Sequence, residues 1–537
     1  MTPEAQSDVV TRYLDAVDAQ TGAAPTSYLP PQSKRYPGSP RTSLPWPGPG
    51  APPLTDTGLD RISTLLLGYG PRRVEMLTQA GMSALTGTPF SGPAFTRVLP
   101  AWFTLRWTVP SGGAYYPGEI YLAWTGSGDL PSGVYHYDHV HHCLELLRDT
   151  NPAADVDRLL GPATATDGAG RSALLLACRP WKNGSKYRAF GYQLATVDVG
   201  VLLGQLLTWP QTGTADLAPD PRAADDLLGL DGMLETVYAV IEIPTAATPD
   251  TPPEADTPPG PGTPPCRTAP PEPVGLTHDR LVLADADPHA VALHRAAWAE
   301  TDMPQRAVPP PAPQATPPPA PQAMTPSDAA PVHLPEVAAL DLTGAAAGRA
   351  SACDLAPGLR LAQLADVLAY AGGHRPTTAA LDELARHPLY PTLWCLVGQV
   401  DGLPPGAYRY DPRHHLLRPS TGADRPGPPT TVVAHRMATA GVSIVVVAGG
   451  GRPMTGLTPA EFRRLHLLTG TVVQLAALTA QAVGAAIRPI GGFSAPDIAA
   501  RLGLPGGDTP VLQLLLGAPT SRAGLLAVAL TEGTTNG

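Results

Sequence analysis

Four short stretches of this 537-residue chain place reactive or ligand-binding residue types at spacings that could do chemistry. Lys186 and Tyr187 stand side by side in SKYRAFGYQLATVDVG (185–200). A lysine serves as a base only when burial or a neighbouring cation lowers its pKa, and a phenol beside it can give or take a proton. Pro110, Ser111, Gly112 and Gly113 precede an aromatic pair and a strand in RWTVPSGGAYYPGEIYLAW (106–124). Adjacent glycines let backbone N–H groups approach a planar or anionic ligand. Arg349 and Ser351, in GRASACDL (348–355), offer a guanidinium fork and a hydroxyl to a phosphate. In RPIGGFSAPDIAARLGLP (488–505), Arg488, Pro489 and Ile490 lead into Gly491 and Gly492, whose amides could line a flat ring. Ser494 with Pro496 then marks a helix start. Taken singly, each stretch also has an ordinary reading as a glycine turn, a surface cation, a cap, or a lysine beside an amphipathic tyrosine.

The elements that must position these residues occur twice. GVYHYDHVHHCLELL (133–147) matches GAYRYDPRHHLLRP (406–419), each a hairpin preceded by a β-rich run. Leucine-periodic helices fall at 59–70 and 361–373, and long apolar helices at 196–207 and 468–484. A glycine-punctuated, strand-like pattern follows Tyr187 before the first of those long helices. VSIVVVAGGG (442–451) reads as a buried strand. The fold class is therefore α+β, present as two tandem domains, and a duplicated domain often reproduces a homodimer within one chain. The expected divisions are an N-terminal extension (1–24), a first domain (25–245), a Pro-rich linker (246–329) and a second domain (330–537). Much of the chain's complement of 67 prolines lies in that linker, which is extended apart from one helix near 285–302.

Composition narrows the function. Net charge is −10, with no basic footprint for nucleic acid. Five scattered cysteines without a CxxC pair speak against a disulfide framework or a zinc site and fit a reducing cytoplasm. The start of the chain has no apolar signal region, and no apolar run reaches membrane-spanning length. The His pairs His141/His142 and His414/His415 lack a third ligand at metal spacing, so no metal is expected. No GxGxxG joins a strand to a helix, so no dinucleotide fold is expected.

Together the four stretches resemble the FMN-dependent azoline dehydrogenases of the SagB and McbC type, within the nitroreductase-like superfamily. PSGGAYYPGEIY is similar to that family's Pro-Ser-Ala-Gly-Ala-x-x-Pro-x-Glu-x-Tyr. The Gly-x-Tyr-x-Tyr-Asp hairpin appears twice, Lys186–Tyr192 looks like the catalytic Lys-Tyr segment, and Pro489–Phe493 with Leu502–Pro505 matches the tail. Cys353 departs from the pattern, standing where a third basic residue is usual. The tandem arrangement is similar to that of actinobacterial enzymes of thiopeptide pathways.

The resemblance implies two nitroreductase-like domains paired as an intramolecular pseudo-dimer, with Lys186 and Tyr187 catalytic. It implies FMN held between the halves by Pro110, Ser111, Gly112, Gly113, Arg349, Ser351, Arg488, Pro489, Ile490, Gly491 and Gly492. Neither half carries all of these, so one complete site, one decayed site and one FMN per chain are expected. The implied reaction oxidises a peptide thiazoline or oxazoline to a thiazole or oxazole, the proton and hydride leaving separately and O₂ reoxidising the flavin. Which of Lys186 and Tyr187 is the base stays open. Implied partners are an azoline-containing precursor peptide of a ribosomally made, modified product and the cyclodehydratase that forms its rings. An NAD(P)H-dependent nitro- or quinone reductase and a flavin-free scaffold subunit are the competing readings.

Overall fold

The strand Gly118–Trp124 reads GEIYLAW, with apolar side chains on both faces, and all seven residues are buried. A strand of that kind needs cover above and below. The cover comes from helices that are apolar on every side: each residue from Gly191 to Leu207 in the helix Phe190–Leu207 is buried. The computed structural model describes residues 3–20, 33–46, 58–77, 103–126, 128–161, 170–245, 270–300, 330–352, 355–420, 440–448, 452–520 and 525–529.

Two antiparallel sheets repeat one plan. The first orders Arg41–Ser43, Cys143–Arg148, Gly133–Asp138, Gly118–Trp124, Arg171–Cys178, Thr236–Pro244 and Ala215–Asp216. The second orders Val332–His333, Leu416–Pro419, Gly406–Asp411, Thr392–Val397, Val442–Ala448, Thr509–Pro519 and Leu355–Ala356, with Ala486–Ile490 branching onto Thr509–Pro519. The duplication reaches single atoms. Tyr137 shares a 2.8 Å hydrogen bond with His142, and Tyr410 one of 2.9 Å with His415. His141 and His414 each bond the aspartate three residues earlier, and no metal-ligating cluster occurs among the described residues. Cys143, Cys178 and Cys395 are free thiols, while Cys266 and Cys353 lie outside the described residues.

The two halves meet through their longest helices, Phe190–Leu207 (the first core helix) and Pro459–Ala482 (the second). Glycines set the approach. A Cβ on Gly200 would lie 2.1 Å from the Leu467 carbonyl oxygen, and one on Gly470 would lie 2.1 Å from the Val197 carbonyl oxygen. That reciprocity is the mark of a pseudo-two-fold axis. Gln474 Nε2 donates to Gln205 Oε1 at 2.6 Å across the same contact. Both helices are long and apolar enough to cross a membrane, but 89% of each apolar window is buried inside the protein, chiefly through this pairing. The halves are also clasped by a three-stranded sheet in which Leu525–Ala529 pairs with Pro71–Leu77, which pairs with Phe103–Trp107.

Two sequence expectations change. The segment after Tyr187 is not a strand: Gly184–Tyr187 makes one helical turn, Arg188 breaks it with φ +50°, and the core helix already starts at Phe190. Burial between a sheet and the partner helix overrides the strand preference of its aromatic residues. The helix expected near 285–302 is present as Pro288–Ala299, capped by Asp287, but it does not stand alone: a further linker helix, Thr277–Ala284, precedes it. Both dock firmly: Asp279 pairs with buried Arg179, and Trp298 donates to Asp225.

Candidate active site

The PSGG loop follows the strand Phe103–Trp107 and turns sharply at Gly113, whose φ of +71° favours glycine. Its polar groups converge on one carboxylate that the sequence reading passed over. Ser111 Oγ donates to Asp198 Oδ2 at 2.6 Å, and the Gly112 amide donates to Asp198 Oδ1 at 3.0 Å. The Tyr116 amide closes the loop onto Ser111 Oγ at 2.9 Å. Asp198 lies in the first core helix and is 8% exposed. Burial lifts its pKa to about 7, against the pull of Ser111, Gly112, Asn183 and Lys182. A lone acid inside the apolar run TVDVGVLLGQLL was the available signal.

Tyr187 flanks this loop. A Cβ on Gly113 would come within 3.0 Å of the Tyr187 hydroxyl. Lys186 Nζ stands 5.2 Å from the Tyr187 ring and is exposed. Tyr187 is half-buried, and burial followed by the charge of Asp198 raises its pKa, with Arg488 opposing. The burial that a base lysine requires is met instead four residues earlier, at Lys182. This residue is 4% exposed and donates to the Tyr116 carbonyl at 2.8 Å. Burial and Arg179 lower its pKa to about 8. Asn183 Nδ2 lies 3.4 Å from both Gly112 O and Asp198 Oδ2, while its Oδ1 and the Ser185 hydroxyl find no partner among the described residues.

The second half contributes from the other side. Arg349 is buried, with Nε 2.5 Å from the Thr108 carbonyl and an Nη 2.9 Å from that of Trp107, the residues that lead into the PSGG loop. Its other Nη reaches Ser351 Oγ at 3.4 Å. Arg488 donates to the Ala352 carbonyl at 2.8 Å. Pro489 and Ile490 complete the strand Ala486–Ile490, and Ile490 is packed with Ala352, Leu355, Ala440 and Leu515. Gly491 and Gly492 then turn toward Ser494, which caps Ala495–Leu502. A Cβ on Gly491 would lie 3.3 Å from Leu194 Cδ2, and one on Gly112 3.4 Å from Leu194 Cδ1. One leucine of the first core helix thus separates the glycine turn of one half from the glycine loop of the other. Pro110 is buried at the loop's entry.

A segment outside both halves braces the tyrosine. Gln20 follows the helix Pro3–Asp18; its Nε2 donates to the Tyr187 carbonyl at 2.9 Å, and its Oε1 accepts from the Phe190 amide at 3.5 Å. Tyr13 donates to Ala189 O at 3.0 Å and accepts from Gln193 N at 3.3 Å. These side chains satisfy amides at the start of the first core helix, which has no cap of its own. Glu119, from the same motif as the loop, points elsewhere: it pairs with Arg179 at 2.9 Å and with His136.

No protein-family model matches the chain, and no curated protein matches it either. Among solved structures, a protein of Anabaena variabilis described as a nitroreductase matches 95% of this chain and 99% of its own, at 16% identity and a TM-score of 0.64. The fold is nitroreductase-like. A likeness spanning nearly all of both chains extends to the paired halves and not to one domain alone. A Ralstonia eutropha protein described as a nitroreductase matches 36% of this chain at 22% identity and a TM-score of 0.27, covering 90% of its own. The Escherichia coli microcin synthetase complex with a truncated pro-microcin bound matches 43% of this chain and 75% of its own, at 17% identity and a TM-score of 0.26. Neither of these two partial likenesses bears on the argument.

The donor set of this candidate site fits FMN. Arg349, Ser351 and Arg488 supply cationic and hydroxyl donors, and Arg488, half-exposed, has donors beyond its one carbonyl bond. A Cβ on Gly492 would meet nothing within 4 Å, leaving an open approach to that backbone.

Proposed function

We propose that this chain is an FMN-dependent dehydrogenase that oxidises thiazolines or oxazolines of a precursor peptide to thiazoles or oxazoles. The observation that carries the reading is the approach of Gly112 and Gly491, from different halves, to the two methyls of Leu194, with Tyr187 against Gly113 beside them. In this reading the glycines and the phosphate-type arginines make one site. At the pseudo-symmetric place, the correspondence of Gly200 with Gly470 makes Leu468 the counterpart of Asp198, and HPLYP (387–391) stands for the PSGG loop. One FMN per chain follows.

Arg349, Ser351 and Arg488 would hold the phosphate end, and the amides of Gly491 and Gly492 would be available to the ring. FMN, when bound, supplies the hydride acceptor. Tyr187 is kept protonated by its surroundings, so its hydroxyl donates a hydrogen bond to the azoline nitrogen. Asp198 fixes the loop through Ser111 and Gly112, holding Gly113 against that hydroxyl. The proton that leaves the ring carbon passes to a base, for which the exposed Lys186 beside Tyr187 and the buried Lys182, its pKa lowered to about 8 by burial and Arg179, are the candidates. The peptide and the ring-forming cyclodehydratase are the partners this reading requires.

The test is to purify the protein, measure flavin by absorbance, and supply a thiazoline-containing peptide under air. A product lighter by two hydrogens from wild type, and none from a still yellow Tyr187→Phe variant, is expected. Rapid flavin reduction by NADPH without peptide oxidation would replace this reading with a nitro- or quinone reductase. A colourless protein would replace it with a scaffold.

A further inference from the structure

The stretch from Lys182 to Ala189 is weak in local structure. It holds a four-residue helix, Gly184–Tyr187, whose N-cap residue Asn183 makes no side-chain cap bond. A helix that short is unstable on its own. Arg188 then takes φ +50° and ψ −130°, a conformation that suits glycine and strains a residue with a Cβ. Such strain persists only where surrounding contacts enforce it. Tyr187 lies between the short helix and the strained residue, so those contacts decide where its hydroxyl stands.

The contacts come from outside the two repeats. Three backbone carbonyls of this stretch accept side-chain hydrogen bonds. Lys182 O pairs with His278 Nε2 at 3.3 Å, Tyr187 O with Gln20 Nε2 at 2.9 Å, and Ala189 O with the Tyr13 hydroxyl at 3.0 Å. A carbonyl only accepts, so His278 donates through Nε2. Tyr13 and Gln20 belong to the N-terminal extension, and His278 to the linker helix Thr277–Ala284. That helix makes two further contacts from the same face. Asp279 accepts from Nε and an Nη of Arg179 at 3.1 and 2.5 Å, with both side chains wholly buried. The Arg179 carbonyl accepts from the Lys182 amide at 3.1 Å, so this ion pair anchors the turn that leads into the stretch. Val282 lies against Gly184, where an added Cβ would come 2.7 Å from Val282 Cγ1 and meet nothing else within 4 Å. On the opposite side of the helix, Leu281 is 51% exposed. The His278 ring also lies nearly parallel to that of Tyr115, their centres 6.4 Å apart, so one helix touches both the PSGGAYY loop and the tyrosine segment.

We propose that the linker helix Thr277–Ala284 is a working part of the site, with His278, Asp279 and Val282 as positioning residues that hold Tyr187 against Gly113. The linker then does more than tether the halves: it supplies the support that the short helix and the strained Arg188 lack. The catalytic consequence rests on the role proposed above for Tyr187; the support itself does not.

The test reads amide hydrogen exchange and turnover in the full chain. In His278→Ala, the Tyr187 and Arg188 amides are expected to exchange about 3- to 10-fold faster, the size of one lost hydrogen bond. The strand Arg171–Cys178 should exchange as before. The kcat on an azoline peptide is expected to fall by a similar factor, with KM and flavin content unchanged, and His278→Gln, which keeps a donor, to restore most of it. Gly184→Ala drives a Cβ into the stiff Val282 side chain, and the same two changes are expected. Val282→Ala added to it removes Cγ1 and should restore both. Unchanged exchange at Tyr187 and Arg188 in His278→Ala and Gly184→Ala, or a Gly184→Ala defect that Val282→Ala does not relieve, would overturn the proposal. Faster exchange in a protein whose wild type makes no azole would uphold the support and overturn the azoline reading alone. Should His278→Ala fail to fold, the Gly184 and Val282 pair decides.

Discussion

Gly200 and Gly470 face each other where the two core helices cross, each against a carbonyl oxygen of the opposite helix. No side chain fits at either position. Gly200→Ala and Gly470→Ala must push the helices apart, and each is expected to cost about 3 kcal/mol or more, at the upper end for overpacking. Gly204→Ala, whose Cβ would lie 3.0 Å from Thr471 Cα, is expected to cost less. Urea denaturation checks the order, and flavin content should fall with the first two because the proposed site spans the halves.

Tyr187→Phe removes the hydroxyl that faces Gly113 and leaves the ring. Turnover of an azoline peptide is expected to fall about 100- to 1,000-fold, with flavin content unchanged. Single-turnover kinetics would separate this from weaker binding.

Arg488→Gln removes a cation from the proposed phosphate end. A lost charge-assisted contact corresponds to about a 10- to 100-fold weaker FMN affinity. Fluorescence titration of the apoprotein would measure it, and the stoichiometry should stay near one per chain. Two per chain would mean that the HPLYP side also binds.

The pH dependence of stability carries two opposed signatures. Asp198 rises from 3.8 to about 7 on folding. The native state therefore holds an extra proton between these values, and stability falls as pH climbs from about 4 to about 7. Lys182 falls from 10.5 to about 8, so its buried charge weighs on the fold below about 8 and is relieved as pH rises toward 10.5. Together they put a trough between about 7 and 8. Asp198→Asn should flatten its acid side and Lys182→Met its alkaline side, each by at most about 4 kcal/mol at roughly 1.4 kcal/mol per pKa unit. Thermal denaturation across pH would reveal both.

Gln20→Ala unties the Tyr187 carbonyl and the Phe190 amide. A loss of about 1 kcal/mol of stability is expected, with a lower kcat and an unchanged KM, because the tyrosine loses its support and not its hydroxyl.

The duplicated plan was legible because hairpins carry strong local signals: Gly-x-Tyr-x-Tyr-Asp followed by His-His recurs with the same turn chemistry, down to positive φ at His142 and His415. The cap at Ser494 was legible for the same reason. The start of the first core helix at Phe190 was not, because its glycine and aromatic pattern suits a strand and only burial on all sides makes it a helix. Asp198, Lys182 and Gln20 were not read as partners of the loop because each reaches it through tertiary contact: Asp198 is 86 residues from Gly112, and Gln20 is 167 from Tyr187. Docking of the linker helices depends on Arg179, 100 residues before Asp279, and spacing carries no sign of it.

The clasp strand Leu525–Ala529 imposes an order on synthesis. Pro71–Leu77 leaves the ribosome about 450 residues before its partner on one edge. At about 5–20 residues per second, the early strand waits on the order of tens of seconds with that edge open. An open edge is a template for another nascent chain, so two copies made on one messenger could exchange clasps. The first half is therefore complete only once the second has been made, and a ribosome that stalls between the two strands releases a product still prone to aggregate.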